Sequence, residues 1–264
     1  MLVLKGVTKT FNKSTVNEKP ALTGVDLHLE PGDFVTVIGG NGAGKSTLLN
    51  SIAGVFALDG GQVILDGRDV SRLPEHRRAT DLGRVFQDPM RGTAADMQIV
   101  ENLALAARRG ESRGLSWGIT RDERASYRER LAELDLGLEE RLTSKVGLLS
   151  GGQRQALTLL MAILKKPKLL LLDEHTAALD PKTASKVLAL TERLVGEHGL
   201  TTLMVTHNMN DAIRLGNRLI MMHEGNVIFD ARDDEKRRLR VHDLLQKFEE
   251  ASGGELTNDR MLLS

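Results

Sequence analysis

The sequence predicts an α/β fold in which a strand–helix framework is interrupted by an inserted helical block. Three observations carry that prediction. An apolar strand runs straight into a glycine-rich loop and a helix near the start, residues 88–164 carry mostly helical periodicity, and strand–helix alternation returns after them.

Met1, Leu2, Val3, Leu4 and Lys5 open directly on strand-like alternation, and residues 25–29 alternate again. Pro31, Gly32 and Asp33 turn the chain into residues 34–38, a continuous apolar strand suited to a buried sheet. A helix follows from Lys45 to about Ala53, then a strand over residues 62–67 and a third apolar run at 82–86. Within the helical block, Thr120 with Glu123 three residues on signals a capped helix running to about Leu134. Gly151 opens another helix, to Leu164. Residues 169–172 form a buried strand, Asp180 and Pro181 cap and open a helix, and residues 201–205 form a further strand. Residues 219–229 read as a hairpin turning at Gly225 and Asn226, and one helix spans about 233–249 before Gly253 and Gly254. The expected division is one domain over residues 1–248, a helical subdomain within it at roughly 88–164, and a tail at 249–264.

Composition narrows the function classes. With 264 residues the chain can bury a substantial core. Lys+Arg and Asp+Glu both total 36, so no overall field favours nucleic acid, and no nucleic-acid partner is expected. Lys236, Arg237, Arg238 and Arg240 accordingly read as a solvated helix face. The absence of cysteine removes disulfides and thiolate metal sites. No apolar run approaches the ~18 residues that span a bilayer, and the start lacks a basic-then-apolar leader. The expectation is a soluble, cytosolic protein whose membrane role comes through a partner. Trp117, the one tryptophan, sits in a loop of the helical block and reads as a packing residue or a docking contact.

Gly39, Gly40, Asn41, Gly42, Ala43, Gly44, Lys45 and Ser46 carry the most explicit chemistry. Two glycines five apart are followed directly by Lys and Ser, the phosphate-binding (P-loop) pattern. Chance produces such a match in only about one or two chains per hundred, and here a strand precedes it and a helix follows. The glycines let backbone N–H groups point at phosphate oxygens where a Cβ would obstruct them. Lys45 brings a charge to the β- and γ-phosphates, Ser46 a hydroxyl ligand for Mg²⁺, and Thr47 a donor for the α-phosphate. Asp173 and Glu174 end an apolar strand, where carboxylates face the ligand crevice of an α/β sheet. Asp173 suits Mg²⁺ held through water; Glu174 suits the general base that orients and deprotonates the attacking water.

Two candidates depend on that company. Gln87 follows the third apolar run, where its amide can reach both Mg²⁺ and the attacking water; alone it reads as a solvated turn residue. His207 ends a strand, as a residue contacting a γ-phosphate would; alone it reads as a capping or surface histidine. Leu149, Ser150, Gly151, Gly152 and Gln153 supply a hydroxyl and free N–H groups at a helix start, a ready anion site, or else simply a serine cap. Chance places this pentapeptide in about one chain per thousand of this length. The P-loop already provides one phosphate cradle, so a second anion-binding helix start is redundant unless it closes on a nucleotide from outside.

In the order P-loop, Gln87, residues 149–153, Asp173 with Glu174, Ala178 to Leu179 to Asp180, and His207, residues 1–230 resemble the nucleotide-binding subunit of ATP-binding cassette (ABC) transporters. The resemblance implies a P-loop NTPase core with a mixed sheet plus an inserted helical subdomain, the ABC ATPase fold. It implies Mg²⁺-dependent ATP hydrolysis by two copies packed head to tail. Two ATP molecules would lie between one copy's P-loop and the other's Ser150 and Gly152, with Gly151 and Gln153 beside them. Asp180 would connect the two sites, and Phe11 matches the position that stacks on adenine, its alternative being an ordinary core phenylalanine. Integral membrane permease subunits would dock near Gln87 and the following helical block. A location on the inner face of the cell membrane and an extracytoplasmic substrate-binding protein follow from the same resemblance.

The sequence also departs from the pattern. His175 stands where many relatives have proline and reads as the mark of a branch rather than a catalytic group. Residues 90–97 are longer and richer in small polar residues than the usual segment after the glutamine, where a permease should dock. Residues 173–180 are similar to a branch of bacterial solute importers associated with amino-acid uptake. Import of a small amino-acid-like solute through a separate permease is therefore the expectation. The alternatives are the ATPase of an exporter, which shares every catalytic motif, and a soluble ABC ATPase. The latter class usually carries two cassettes or a long coiled coil, and neither is present here.

Overall fold

The computed structural model describes residues 1–111 and 118–251; Trp117, Gly253 and Gly254 lie outside them. The chain divides into two compact units, Met1–Arg78 with Gly199–Ser264, and Ala79–His198. In chain order the first unit contributes β1 (Leu2–Phe11), β2 (Lys19–Leu29), β3 (Phe34–Ile38), α1 (Lys45–Ala53), β4 (Gly60–Leu65), β5 (Arg68–Asp69) and α2 (Glu75–Arg78). The second contains β6 (Leu82–Val85), α3 (Ile99–Ala107), α4 (Arg121–Ala132), α5 (Gly151–Ile163), β7 (Leu169–Asp173) and α6 (Pro181–His198). The chain then returns to the first unit with β8 (Thr201–Val205), α7 (Met209–Arg214), β9 (Arg218–His223), β10 (Asn226–Arg232), α8 (Asp233–Arg238) and α9 (Val241–Ala251).

The first unit holds an antiparallel sheet in the order β2-β1-β4-β5. Leu2 pairs with Leu29 and Leu4 with Leu27, so period-two alternation puts these leucines on one buried face. A second sheet runs β10-β9-β3-β8, with β3 parallel to both β8 and β9 and β10 antiparallel to β9. Flanked on both sides, β3 is buried at every position, which accounts for its unbroken apolar run. Ile38, Met209, Ala212, Leu219, Met221, Leu244 and Phe248 close one face of this sheet under α7 and α9.

Two details differ from the sequence prediction. The hairpin turns at Glu224 and Gly225, whose φ values of 45° and 78° supply the positive pair a two-residue turn needs, while Asn226 already pairs with His223. The last helix is broken at Leu239. Lys236 is not on a solvated face: it is buried, and its Nζ donates to the carbonyls of Leu215, Gly216 and Arg218 and to Thr36 Oγ1. Burial pushes its pKa down to about 8.

In the second unit β6 and β7 pair in parallel, Val85 opposite Leu172. Helix begins only at Ile99, later than the periodicity suggests. The segment before it is pinned by buried Asn102, whose Oδ1 accepts from Ala94 N at 2.8 Å and whose Nδ2 donates to the carbonyls of Ala94 and Gln98. Capping boxes start α3 at Gln98, α4 at Thr120 and α5 at Ser150.

Candidate nucleotide-binding and hydrolysis site

The P-loop joins β3 to α1. Gly39, Gly42 and Gly44 take φ values of 155°, 81° and 98°. A Cβ on Gly39 would lie 2.3 Å from the Met222 carbonyl oxygen, and one on Gly44 2.5 Å from that of Ala21, so both positions exclude any side chain. Helix α1 starts at Gly44 with no side-chain cap, leaving its first-turn amides to another acceptor, unlike the boxed starts of α3, α4 and α5. Lys45 is buried and folds across the loop, its Nζ donating to Gly39 O at 2.7 Å and Gly40 O at 3.0 Å. Asn41, Gly42 and Ser46 are exposed, Ala43 is buried and Thr47 half-buried. Gly225 N donates to Ala43 O and Thr23 N to Gly225 O, so the β9–β10 turn braces the loop against β2. These residues fit a nucleotide's phosphates: a cradle that a Cβ would fill, an uncapped helix start and a cation within it.

His207 belongs to the same unit. Parallel pairing of Val37 with Val205, with Thr206 N donating to Val37 O, brings the end of β8 beside the end of β3 where the P-loop begins. His207 is exposed there, near Asp211, whose carboxyl burial pushes up against the opposing pull of Arg214. Phe11 is half-buried at the end of β1, its ring edge-on to Phe56 at 5.3 Å with Lys9 Nζ over it at 5.5 Å.

The second unit gathers the remaining polar candidates into two places. At the edge where β6 and β7 end, Gln87 is exposed, and Asp173 and Glu174 are half-buried. Arg84 Nη2 lies 3.7 Å from Asp173 Oδ2, and its guanidinium stacks over Phe86 at 4.5 Å. Glu174 has φ 44°, a left-handed conformation that a non-glycine side chain holds only at a cost of roughly 1 kcal/mol or more. Ser150 Oγ accepts from Gln153 N at 3.3 Å while Gln153 Oε1 accepts from Ser150 N at 3.2 Å. The serine therefore does cap α5, and its hydroxyl proton is still available to donate. Beside it Asp180 Oδ1 accepts from Thr183 N at 3.1 Å to start α6, and hydrogen bonds from the Thr183 hydroxyl and this N–H hold its carboxyl below the usual range. A Cβ on Gly152 would lie 2.2 Å from Thr183 Cγ2 and one on Gly151 3.2 Å from Leu179 Cδ2, so the two motifs are packed together.

Three side chains that the sequence reading passed over support these places. Arg78 is buried and donates to the carbonyls of Ser51 and Ile52 at 2.7 and 2.8 Å, holding the C-terminal end of α1. Gln155 Nε2 donates to Phe86 O, the carbonyl just before Gln87. Asn102 pins residues 94–98 as described. None sits in a local motif: Asn102 and Gln155 are polar residues next to apolar runs, and Arg78 lies in a charged run that gives no sign of burial.

Comparison with known proteins agrees with this geometry. The family model described as ABC transporter matches residues 22–177. A protein named tyrosine transport ATP-binding protein, from Clostridioides difficile, is 45% identical over 251 residues, covering 95% of this chain and 100% of its own. An aliphatic sulfonates import ATP-binding protein of Ralstonia nicotianae is 37% identical, covering 89% of this chain and 75% of its own. Among solved structures, a dimeric ATP-binding cassette in a post-hydrolysis state with ADP and Pi superposes with a TM-score of 0.75 at 33% identity, over 88% of this chain and 98% of that one. An ADP-bound ABC transporter cassette gives 0.77 at 26% identity, over 94% and 98%. P-loop, acidic strand end and capped signature helix thus occur together on the fold of those cassettes, and the chain belongs to the ABC transporter family as one of its ATP-hydrolysing subunits.

Proposed function

We propose that this chain powers import of a small, amino-acid-like solute, as two copies of itself on the cytoplasmic face of a membrane permease. An extracytoplasmic substrate-binding protein would deliver the solute. The observation that carries this reading is the 45% identity, over the whole length of the relative, to a protein named for tyrosine transport. The placement on a permease is supported by two features. Among the described residues no helix is long and apolar enough to cross a membrane. Met90 and Leu148 are 44% and 70% exposed on the helical unit, where large apolar side chains in contact with water favour a protein partner.

In this reading residues 1–248 act as one ATP-binding domain with its helical subdomain at 88–164. Residues 39–47 bind the phosphates, Lys45 supplies the positive charge and Phe11 stacks on adenine. Ser46, Gln87 and Asp173 would hold Mg²⁺, which would supply charge neutralisation at the phosphates. Glu174 takes the proton of the attacking water, and His207 donates to the γ-phosphate. Ser150, Gly151, Gly152 and Gln153 act on the nucleotide of the other copy, and Asp180 links the two. ATP then favours the closed pair and its hydrolysis releases it, which is how nucleotide chemistry performs mechanical work.

The test is reconstitution of the chain in liposomes with the permease encoded beside its gene. Stimulation of ATP hydrolysis by a binding protein loaded with an aromatic amino acid, and not with a sulfonate, is expected. Equal turnover with both, or stimulation by the sulfonate alone, contradicts the amino-acid assignment.

A further inference from the structure

A pocket of about 700 Å³ opens beside the P-loop, lined by Gly40, Asn41, Gly42 and Ala43 on one side and by Lys19, Pro20 and Thr23 of β2 on another. Its size suits a ligand as large as a nucleotide. Lys19 is exposed, and its Nζ lies 3.5 Å from where a Cβ on Gly42 would sit, so the ammonium stands over the middle of the phosphate loop. Two other lysines of this hairpin share one carboxylate, Lys9 at 3.7 Å and Lys13 at 3.2 Å from Asp59. Lys19 has no ion-pair partner among the described residues, although Glu224 lines the same pocket. An ammonium held against a glycine of the phosphate loop, and paired with no carboxylate, is placed for an anionic ligand.

The strand register adds direction. Lys19 is the residue directly opposite Phe11 in the β1–β2 pair. Directly opposite residues project from the same face with Cβ atoms roughly 5 Å apart. One sheet end therefore carries an aromatic ring and, beside it, an ammonium that leans toward Gly42. Between a base stacked on Phe11 and a phosphate tail in the loop, the group reached by such an ammonium is the ribose-proximal part of the phosphate chain. We infer that Lys19 is a second phosphate-directed cation of this site, contacting the ribose-proximal phosphates that ATP and ADP share. The inference rests on the nucleotide reading of residues 39–47 and adds to it a residue outside every motif.

The experiment is calorimetric titration of the full chain with ATP and with ADP at low and high salt, about 50 and about 300 mM KCl. At low salt Lys19→Gln should weaken both nucleotides by the same factor, about five- to ten-fold, the scale of one partly screened charge pair. The factor should shrink at high salt, and Lys19→Arg should bind as the unaltered chain does. If the unaltered chain binds ATP and Lys19→Gln binds it equally well, the assignment is overturned while the nucleotide reading stands. A loss confined to ATP also overturns it, because the contact would then be to the γ-phosphate. If the unaltered chain binds neither nucleotide, the reading of the P-loop falls, and this inference with it.

Discussion

His175 shows how a residue beside the catalytic candidates can be fixed by one proton. Thr191 Oγ1 spends its hydrogen on Val187 O at 2.8 Å, so it can only accept from His175 Nε2–H at 3.0 Å. Nε2 therefore carries a proton, and Nδ1 is buried with no partner among the described residues, which disfavours a second proton and keeps the ring neutral. Burial lowers its pKa to about 4. The consequence for stability has a definite sign. Between pH 6.5 and pH 4 the unfolded chain takes a proton on this histidine that the folded chain refuses, so stability falls as pH falls through that window and levels off below it. From pH 6.5 to pH 5 the loss from this residue is about 1.5 kcal/mol. Urea unfolding of His175→Gln should show a pH slope shallower by that amount; an identical slope contradicts the buried neutral ring. A second expectation concerns Glu174, the carboxylate next to Asp173 at the strand end. Glu174→Gln should retain ATP binding and lose turnover by about a hundred-fold or more, measured as steady-state phosphate release. Near-normal turnover would remove it from the general-base role. The catalytic candidates were legible in the sequence because each follows an apolar strand, Glu174 beside Asp173 and Gln87 and His207 through the company of the other motifs. Lys19 and Arg78 were not, because their roles come from Gly42 and Ser51, residues distant in sequence that only the folded chain brings near.

At the scale of elements, the P-loop helix is held at both ends by different means. Gly44 opens α1 in the left-handed conformation, and at the other end Arg78 donates to four carbonyls, those of Ser51, Ile52, Ser71 and Leu73. Four of the five N–H groups of this guanidinium reach carbonyls, and its removal leaves those acceptors unpaired. Arg78→Met should cost about 3 kcal/mol in urea unfolding and weaken ATP binding, and Arg78→Lys should not restore it, since one ammonium cannot span the same fork. A loss within about 0.5 kcal/mol, the range of an ordinary surface change, contradicts this anchoring. The strands and the starts of α4 and α5 were readable from alternation and capping boxes. The break between α8 and α9 was not, because the charged run containing Lys236 looks like a solvated face. The carbonyls of Leu215, Gly216 and Arg218, with Thr36 Oγ1, draw that lysine inward.

At the scale of the whole molecule, the account depends on a second copy. The sequence suggested this through redundancy: the phosphate cradle at residues 39–46 is complete, yet residues 149–153 start another helix suited to an anion. Lys45→Ala should fail to bind ATP, and Ser150→Arg should bind it but not hydrolyse it. If Ser150 acts on the nucleotide of the other copy, a mixed dimer carries both lesions in one site and leaves the other sound, so mixing the two inactive variants should restore part of the hydrolysis rate. The measurement that addresses the central claim most directly is the mass of Glu174→Gln by light scattering after size exclusion. With ATP and Mg²⁺ this variant should run as a dimer, and without nucleotide or with ADP as a monomer. A variant shown by titration to hold ATP that nevertheless remains monomeric would contradict an ATPase that works by closing two copies around its nucleotides.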